Sequence, residues 1–254
     1  MPATPAWPPT SLPRLFVDQT LSQGAALTLD GQQANYLGAV LRLAEGAQVK
    51  LIDDRTGEWL AEVVEPGKRR LELRIVQHLR GREEAPDLWL LFAPIKRGRI
   101  DWVAEKATEL GVARLVPVLT QRTIVDRVNT ERLRAHMIEA AEQCDRTALP
   151  ELDEPRKLPQ VLENWPSGRP LLLADEAGGE PMAAAPAAAP AAILIGPEGG
   201  FTEEERGMIR ALPEAKPISL GPRILRADTA AVAAVSLWMA ASGDWHRPAV
   251  RAAR

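Results

Sequence analysis

The sequence predicts an α/β protein of two domains, a small β-barrel followed by a larger domain with a mostly parallel sheet. Up to Leu79 the chain shows short strand-like runs separated by glycine-containing turns, which is typical of a small barrel or sandwich. From Leu88 onward, continuous apolar runs alternate with helical patterns, which indicates parallel strands covered by helices. The charged, proline-containing stretch 80–87 lies between the two patterns and marks the predicted boundary.

Four ranges describe this organisation. Residues 1–13 contain five prolines and are expected to form a disordered arm. Residues 14–82 are assigned to the barrel and residues 83–246 to the α/β domain. Residues 247–254 form a short basic tail.

The barrel is expected to contain five strands and one helix. The helix is predicted over 32–43. The strands are predicted at the runs "RLFV", "ALTL", "QVKLID", "EWLAEVV" and "LELRIVQHL".

The second domain is expected to alternate strands and helices. Helices are predicted over 99–110, 131–144 and 228–241, and Gly111 is expected to cap the first of them. Buried strands are predicted at the runs "LWLLFAP", "ARLVPVL", "PLLLADE", "AAILIG" and "KPISLG".

Composition narrows the range of functions. The chain has 254 residues and a formal net charge of −3, so it is not coated in positive charge, although a local basic patch can still bind nucleic acid. Cys144 is the only cysteine and there are three histidines, which excludes a disulfide framework and gives no pattern of metal ligands. No apolar run approaches the length of a membrane span, and we expect a soluble cytoplasmic protein without a metal.

A glycine-rich turn, "ILIGPEGGFTEEE" (193–205), follows one of the buried strands. Thr202 and Glu205 match a capping box, so a helix should begin at Thr202 with three glutamates in its first turn. That turn is a poor place for a polyphosphate, and the chain lacks a P-loop or a G-x-G-x-x-G motif. The glycines therefore favour a neutral or cationic ligand that the backbone approaches closely.

A second turn repeats the arrangement. "ISLGPRILRADTAA" combines a buried strand, Gly221-Pro222, two arginines and an alanine-rich helix. In open α/β sheets, ligands bind at the carboxyl ends of strands, so the two turns are expected to border the same crevice.

These two motifs together resemble the ribosomal RNA small-subunit methyltransferase E family of the SPOUT superfamily. The resemblance covers nearly the whole chain, with supporting segments such as "LPRLFVD", "PIKRGRIDWVAEKATELGV" and "EAAEQCDRTALPEL" in the family's order. It implies methylation of N3 of a uridine in 16S ribosomal RNA with S-adenosylmethionine as cofactor. It also implies an N-terminal PUA-like β-barrel, a C-terminal SPOUT-type α/β domain with a trefoil knot, and a homodimer.

The resemblance places the cofactor in the turns that end "LLLADE", "LIGPEGG" and "SLGPRIL". A sulfonium cofactor is cationic, which agrees with the acidic character of the first motif. The cofactor-binding residues implied are Ile195, Gly196, Pro197, Glu198, Gly199, Gly200, Leu220, Gly221, Ile224, Leu225, Arg226 and Thr229.

The chain departs from the family pattern at several positions. Leu-Arg-Ala-Asp-Thr-Ala (225–230) replaces the usual L-R-T-E-T-A, and Gln143-Cys144-Asp145-Arg146 replaces Q-S-G-R. Tyr36 stands where a histidine is common. The roles of positions 144, 145, 227 and 228 are therefore left open.

Arg226 and Glu198 are the candidate catalytic residues. Uridine N3 becomes nucleophilic only when its proton leaves, and an arginine that stays protonated stabilises the resulting anion. Arg226 fits that role or, equally well, the role of holding the target phosphate. Glu198 is expected to orient the cofactor, brace the loop or act as base, with bracing favoured. Asp228 either acts as base or caps the following helix.

RNA binding requires basic residues that the fold brings together. The target base is expected to be flipped out, because N3 lies on the pairing edge. The candidate RNA-binding residues are Arg14, Arg42, Lys96, Arg97, Arg99, Arg146 and Arg223.

Two other functions compete with this hypothesis. One is a SPOUT enzyme that methylates a ribose 2′-hydroxyl, but those relatives usually carry an Asn-x-Ser helix start where this chain has "RADTAAVAA". The other is a non-catalytic RNA-binding adaptor that uses the barrel.

Overall fold

A computed structural model describes residues 12–96, 98–125, 127–184 and 188–247. The predicted N-terminal arm up to residue 11, Arg97, and the basic tail from residue 248 lie outside the described residues. The chain forms two compact units. The first extends to Glu84 and also includes Asp145–Ala148, and the second contains Ala85–Cys144 and the chain from Leu149 onward.

The first unit is a curled five-stranded sheet, and all five predicted strands are confirmed. Its strands are β1 (Arg14–Phe16), β2 (Ala26–Asp30), β3 (Gln48–Ile52), β4 (Glu58–Glu65) and β5 (Arg70–Arg80). Their order in the sheet is β1-β3-β4-β5-β2, in which β1 and β3 are parallel and the other pairs antiparallel. Three register shifts between β4 and β5 bend the long hairpin.

The predicted helix over 32–43 is shorter than expected. A single turn, α1 (Gly31–Asn35), continues as a π-helix over Tyr36–Val40. Ala34 and Leu37 are fully buried against the inner face of the sheet, so this short segment closes the core.

A buried charge cluster around Glu58 ties the ends of this unit together. Arg14 Nε lies 2.6 Å and Arg80 Nε 2.9 Å from the Glu58 carboxylate, whose side chain is fully buried. Arg14 also donates to the Arg146 carbonyl oxygen at 2.5 Å, and Arg146 Nε lies 2.7 Å from Glu83. These contacts hold the segment Asp145–Ala148 in the first unit. The predicted ranges, which are continuous in sequence, assign the same segment to the second domain.

The second unit is an eight-stranded, wholly parallel sheet. Its order is β11-β13-β10-β12-β6-β7-β8, and β9 also pairs with β7. The strands are β6 (Leu88–Phe92), β7 (Arg114–Leu119), β8 (Glu151–Leu152), β9 (Arg156–Lys157), β10 (Leu171–Ala174), β11 (Glu180–Pro181), β12 (Ala191–Ile195) and β13 (Ala215–Ser219).

Helices cover both faces of this sheet, as the continuous apolar strands predicted. α2 (Arg99–Glu109), α3 (Thr130–Gln143) and α6 (Ala227–Ala241) pack on one face, and α4 (Leu158–Glu163) and α5 (Glu203–Arg210) on the other. Successive residues of β12 alternate between the two cores, with Ile193 and Ile195 in one and Ala192 and Leu194 in the other. Only α4 and the two-residue strands were not predicted.

Within the described part of the chain, no helix is long and apolar enough to cross a membrane.

Candidate functional site

A cavity of about 510 Å³ lies at the carboxyl ends of β13, β10 and β12, three adjacent parallel strands. Its walls come from the segments that follow those strands: 174–178, 195–201 and 218–227. Arg206 of α5 and Ala230 of α6 complete the lining. This is the edge of an open α/β sheet where ligands bind, and the volume is that of a small-molecule site.

Glycines shape the cavity walls. Gly200 has φ +67°, and a Cβ there would lie 2.9 Å from Glu176 Oε1. At Gly196, a Cβ would lie 2.8 Å from the Phe201 ring. Gly221 has φ +110° and open space around it, so glycine is required at this position for the backbone conformation and not for close packing. The first turn therefore needs glycine for close packing at Gly196 and for backbone conformation at Gly200, whereas the second needs it only for backbone conformation.

Arg206 holds two of the cavity walls together. Its side chain is 11% exposed, and Nη1 lies 2.9 Å from Asp175 Oδ1 while Nη2 lies 2.7 Å from Glu176 Oε1. The Asp175 side chain is 1% exposed and also receives Arg210 Nη2 at 2.9 Å. The segment after β10 is therefore fixed to α5 by charge-assisted hydrogen bonds.

The predicted capping box at the start of α5 is confirmed. Thr202 Oγ1 accepts from the Glu205 backbone N–H, and the Glu205 carboxylate accepts from the Thr202 N–H at 2.9 Å. Glu205 is buried, and its other oxygen accepts from the Gln121 N–H at 2.7 Å. It anchors the loop to the segment after β7, the bracing role that the sequence analysis had favoured for Glu198.

Three charged side chains border the cavity without an ion pair or a side-chain hydrogen bond among the described residues: Glu198, Arg223 and Arg226. All three are exposed. The loop-bracing interpretation of Glu198 is therefore wrong in this structure. A carboxylate and two guanidinium groups are left available to a ligand or a substrate.

The start of α6 places Arg226 at the N-cap position, with no capping hydrogen bond from its side chain. Asp228 in the first turn lies 3.0 Å from Arg99 Nη1 and also accepts from the Thr229 N–H. Asp228 is therefore occupied in joining α6 to α2, and it does not line the cavity.

The lining fits S-adenosylmethionine. Glycine-rich backbone and apolar side chains such as Leu220 and Leu225 suit an adenosine moiety, while Glu176 and Glu198 supply carboxylates for hydroxyl groups or a cation. Among the described residues, no group of three His, Cys, Asp or Glu side chains is placed to hold a metal ion.

Comparison with known proteins agrees with this geometry. A family model described as an RNA methyltransferase domain matches residues 82–239, and one described as an RNA methyltransferase PUA domain matches residues 29–76. The ribosomal RNA small subunit methyltransferase E of Rickettsia conorii is 30% identical over 229 residues, which cover 88% of this chain and 93% of that protein. The chain belongs to the ribosomal RNA small subunit methyltransferase E family.

Other relatives support the assignment to the methyltransferase E family. The enzyme of that name from Synechocystis is 33% identical over 221 residues, 84% of this chain and 72% of its own. A putative methyltransferase from Legionella pneumophila, solved with bound S-adenosylmethionine, is 32% identical with a TM-score of 0.84 over 92% of this chain and 99% of its own. The Neisseria gonorrhoeae methyltransferase E, also solved with S-adenosylmethionine, is 26% identical with a TM-score of 0.83 over 92% and 100% of the two chains.

The resemblance to the methyltransferase E family implied twelve cofactor-binding residues, and most of them line the cavity. Gly199 and Thr229 do not. The Gly199 carbonyl oxygen is held by Arg122, and Thr229 is exposed on α6. Those that line it are Ile195, Gly196, Pro197, Glu198, Gly200, Leu220, Gly221, Ile224, Leu225 and Arg226.

Two of the candidate RNA-binding arginines are corrected. The Arg14 side chain is 5% exposed and that of Arg146 7% exposed, and both are ion-paired within the first unit. They stabilise that unit and present no guanidinium to a substrate. The partners Glu58 and Glu83 are distant in sequence, so neither local charge pattern indicated the pairing.

The other basic candidates differ in their surroundings. Arg42, Lys96 and Arg223 are exposed, whereas Arg99 is half-buried and paired with Asp228. Arg97 lies outside the described residues.

Three charged cavity residues, Asp175, Glu176 and Arg206, were not named as site residues from the sequence. Ion pairs between segments about 30 residues apart bring them together, and no local motif indicates such pairs. The resemblance placed the end of "LLLADE", which contains Asp175 and Glu176, at the cofactor, but it assigned neither residue a role.

Proposed function

We propose that this protein uses S-adenosylmethionine to methylate N3 of a specific uridine in 16S ribosomal RNA. The observation that carries the proposal is the cavity at the ends of β13, β10 and β12, which is bordered by Arg226 and Glu198, two side chains with no partner in the described part of the chain. Membership of the methyltransferase E family and the S-adenosylmethionine bound to two similar structures support the choice of cofactor and substrate.

The chemistry requires a nucleophilic nitrogen in line with a methyl carbon. When bound, S-adenosylmethionine supplies that electrophilic methyl group. The N3 proton has to leave as the carbon–nitrogen bond forms, and negative charge then spreads over the uracil ring. The exposed guanidinium of Arg226 lies at the cavity wall and keeps its positive charge, so it stabilises that anion or holds the adjacent phosphate.

Glu198 is proposed to act on the ligand and not on the protein. Its carboxylate lines the cavity and has no hydrogen bond within the described chain. It either orients the cofactor or accepts the N3 proton. Glu198 differs in this respect from Glu205, because both carboxylate oxygens of Glu205 accept hydrogen bonds from backbone N–H groups.

RNA contact is proposed for the exposed basic residues. Arg223 lines the same cavity as Arg226, and Lys96 lies four residues beyond the end of β6 in the same unit. Ile224 between the two arginines is 89% exposed, an unusual position for an isoleucine at the edge of a cavity. A flipped uracil would cover such a side chain. Arg42 of the first unit and Arg97 remain candidates for contact with RNA.

A homodimer is proposed from the exposed apolar residues of the second unit. Trp102 on α2 and Leu237 on α6 are each 38% exposed, and Trp245 beyond α6 is 48% exposed. A second copy of the chain is proposed to cover them.

The proposal has four further parts. They are a trefoil knot at the cavity loops, the domain ranges 14–82 and 83–246, action on the small ribosomal subunit, and a cytoplasmic location.

A transfer assay with labelled S-adenosylmethionine tests the function. The two substrates are naked 16S ribosomal RNA and 30S particles from cells that lack the enzyme. Label in the RNA of either substrate is expected, with the 30S particle preferred. Intact RNA binding with no cofactor binding in calorimetry would instead support an RNA-binding adaptor.

A further inference from the structure

Arg122 contacts the loop 196–201, the cofactor loop, at a residue that does not line the cavity. Its Nη1 donates to the Gly199 carbonyl oxygen at 2.7 Å. Gly199 itself does not line the cavity, although its neighbours Glu198 and Gly200 do. A Cβ on Gly199 would lie 3.4 Å from the Arg122 side chain, so the arginine stem packs along the backbone at this point.

The segment that carries Arg122 is itself anchored to the start of α5. The Gln121 backbone N–H donates to Glu205 at 2.7 Å, and Gln121 Nε2 donates to Glu204 at 3.1 Å. Thr120 and Thr123 close the turn through their hydroxyl groups, which lie 2.9 Å apart. Arg122 is therefore presented by a defined turn, and its reach to Gly199 is not that of a freely moving surface side chain.

We infer that Arg122 is a positioning residue for cofactor binding, which acts by fixing the orientation of the Gly199 peptide. This inference rests on the proposed function. The Gly199–Gly200 peptide is held at both of its polar atoms, the carbonyl oxygen by Arg122 and the N–H by the Pro197 carbonyl oxygen at 2.9 Å, and this orientation precedes the φ of +67° at Gly200. Without the guanidinium, the loop loses the hydrogen bond at Gly199. More free energy is then needed to order the loop in the conformation that binds S-adenosylmethionine.

The exposure of Arg122 separates this role from a purely structural one. The side chain is exposed, and Gly199 is the single hydrogen-bond partner that its guanidinium has among the described residues. Loss of one exposed contact is expected to change global stability little. Loss of loop order is expected to weaken S-adenosylmethionine binding by about three- to tenfold, which corresponds to the net contribution of one ordinary protein hydrogen bond.

The test compares Arg122→Ala and Arg122→Lys with Arg127→Ala in the full-length protein. Arg127 is an exposed arginine of the same connection that has no hydrogen bond or ion pair to the described residues, so its removal controls for the loss of one positive charge. Calorimetry with S-adenosylmethionine is expected to show weaker binding for Arg122→Ala, partial rescue in Arg122→Lys and no change in Arg127→Ala. In the methylation assay, KM for S-adenosylmethionine should rise while kcat at saturation stays within about twofold.

The outcomes are separable. Equal S-adenosylmethionine affinity in Arg122→Ala and the wild type overturns the inference alone, even if RNA affinity falls. A wild-type protein that does not bind S-adenosylmethionine overturns the proposed function as well.

Discussion

Arg206 and Asp175 form a buried ion pair, 2.9 Å between Nη1 and Oδ1, at the wall of the cofactor cavity. The pair joins α5 to the segment after β10, and both residues line the cavity. Among the described residues, Arg206→Ala leaves the 1%-exposed carboxylate of Asp175 with Arg210 as its one ion-pair partner and with the hydrogen bond from the Ala177 N–H. We expect a loss of about 3 kcal/mol in the free energy of unfolding, because a buried charge loses a partner. Chemical denaturation of the wild type and the variant measures this difference in the free energy of unfolding.

Arg210→Ala is the matched control for that variant. Arg210 also pairs with Asp175, but its side chain is 48% exposed. Its loss should cost less than about 1 kcal/mol, as is usual for exposed ion pairs. Equal costs for the two variants would contradict the assignment of Arg206 as the residue that holds the wall.

Gly200→Ala is expected to weaken S-adenosylmethionine binding strongly. The position has φ +67°, and the added methyl group would meet Glu176 at 2.9 Å. Gly199→Ala places its methyl group in ordinary contact with Arg122 and is expected to change the affinity by less than about threefold. Calorimetry on both variants checks the ranking, and a larger effect at Gly199 would show that the loop is described wrongly.

Arg226→Ala is expected to abolish methyl transfer while S-adenosylmethionine affinity stays near that of the wild type. Its guanidinium is exposed at the cavity and unpaired among the described residues, so its removal breaks no protein contact there. Loss of anion stabilisation lowers kcat by about 100-fold or more. Arg223→Ala should instead raise KM for RNA. Full activity in Arg226→Ala would mean that the chemistry lies elsewhere.

The acid stability of the first unit is expected to depend on Glu58. Burial raises the pKa of Glu58, but hydrogen bonds from Arg80 and Arg14 outweigh it and bring the pKa below the ordinary value of 4.5. A lowered pKa stabilises the folded state above pH 4.5, and that contribution is lost as the pH falls through the lowered pKa. Wild-type Tm should therefore fall as the pH drops below 4.5 and the Glu58 carboxylate becomes protonated.

Glu58→Gln isolates that contribution. The variant is expected to lose about 3 kcal/mol at neutral pH, because Arg14 stays buried without its carboxylate, and to show a flatter acid limb. Glu65→Gln, an exposed glutamate on the same strand, serves as control. Parallel acid limbs for Glu58→Gln and the wild type would rule out Glu58 as the titrating group.

Local sequence patterns predicted the parts of the fold that local interactions determine. The capping box of Thr202 and Glu205 spans three residues, and the cap at Gly111 depends on its own φ of +96°. The longer strands of both sheets were equally recognisable, because each carries its apolar pattern within a few residues, whereas the two-residue strands β8, β9 and β11 are too short to show one. The six residues of α4, by contrast, are too few for a helical period to stand out.

Long-range pairing was not predictable from one sequence. Arg14 meets Glu58 across 44 residues, and Arg206 meets Asp175 across 31. Nothing near Arg14 or Arg146 indicates that the side chain is buried, so both were assigned to an RNA surface. The same limit applies to Glu205, whose contact with Gln121 spans 84 residues and makes it the brace of the cofactor loop.

The product nucleoside tests the central claim most directly. Methylated 16S ribosomal RNA from the in vitro reaction is digested to nucleosides, which are separated and identified by mass spectrometry against standards. The account predicts 3-methyluridine in the wild-type reaction and its absence with Arg226→Ala. A 2′-O-methylated nucleoside, or methylation of another base, would contradict it.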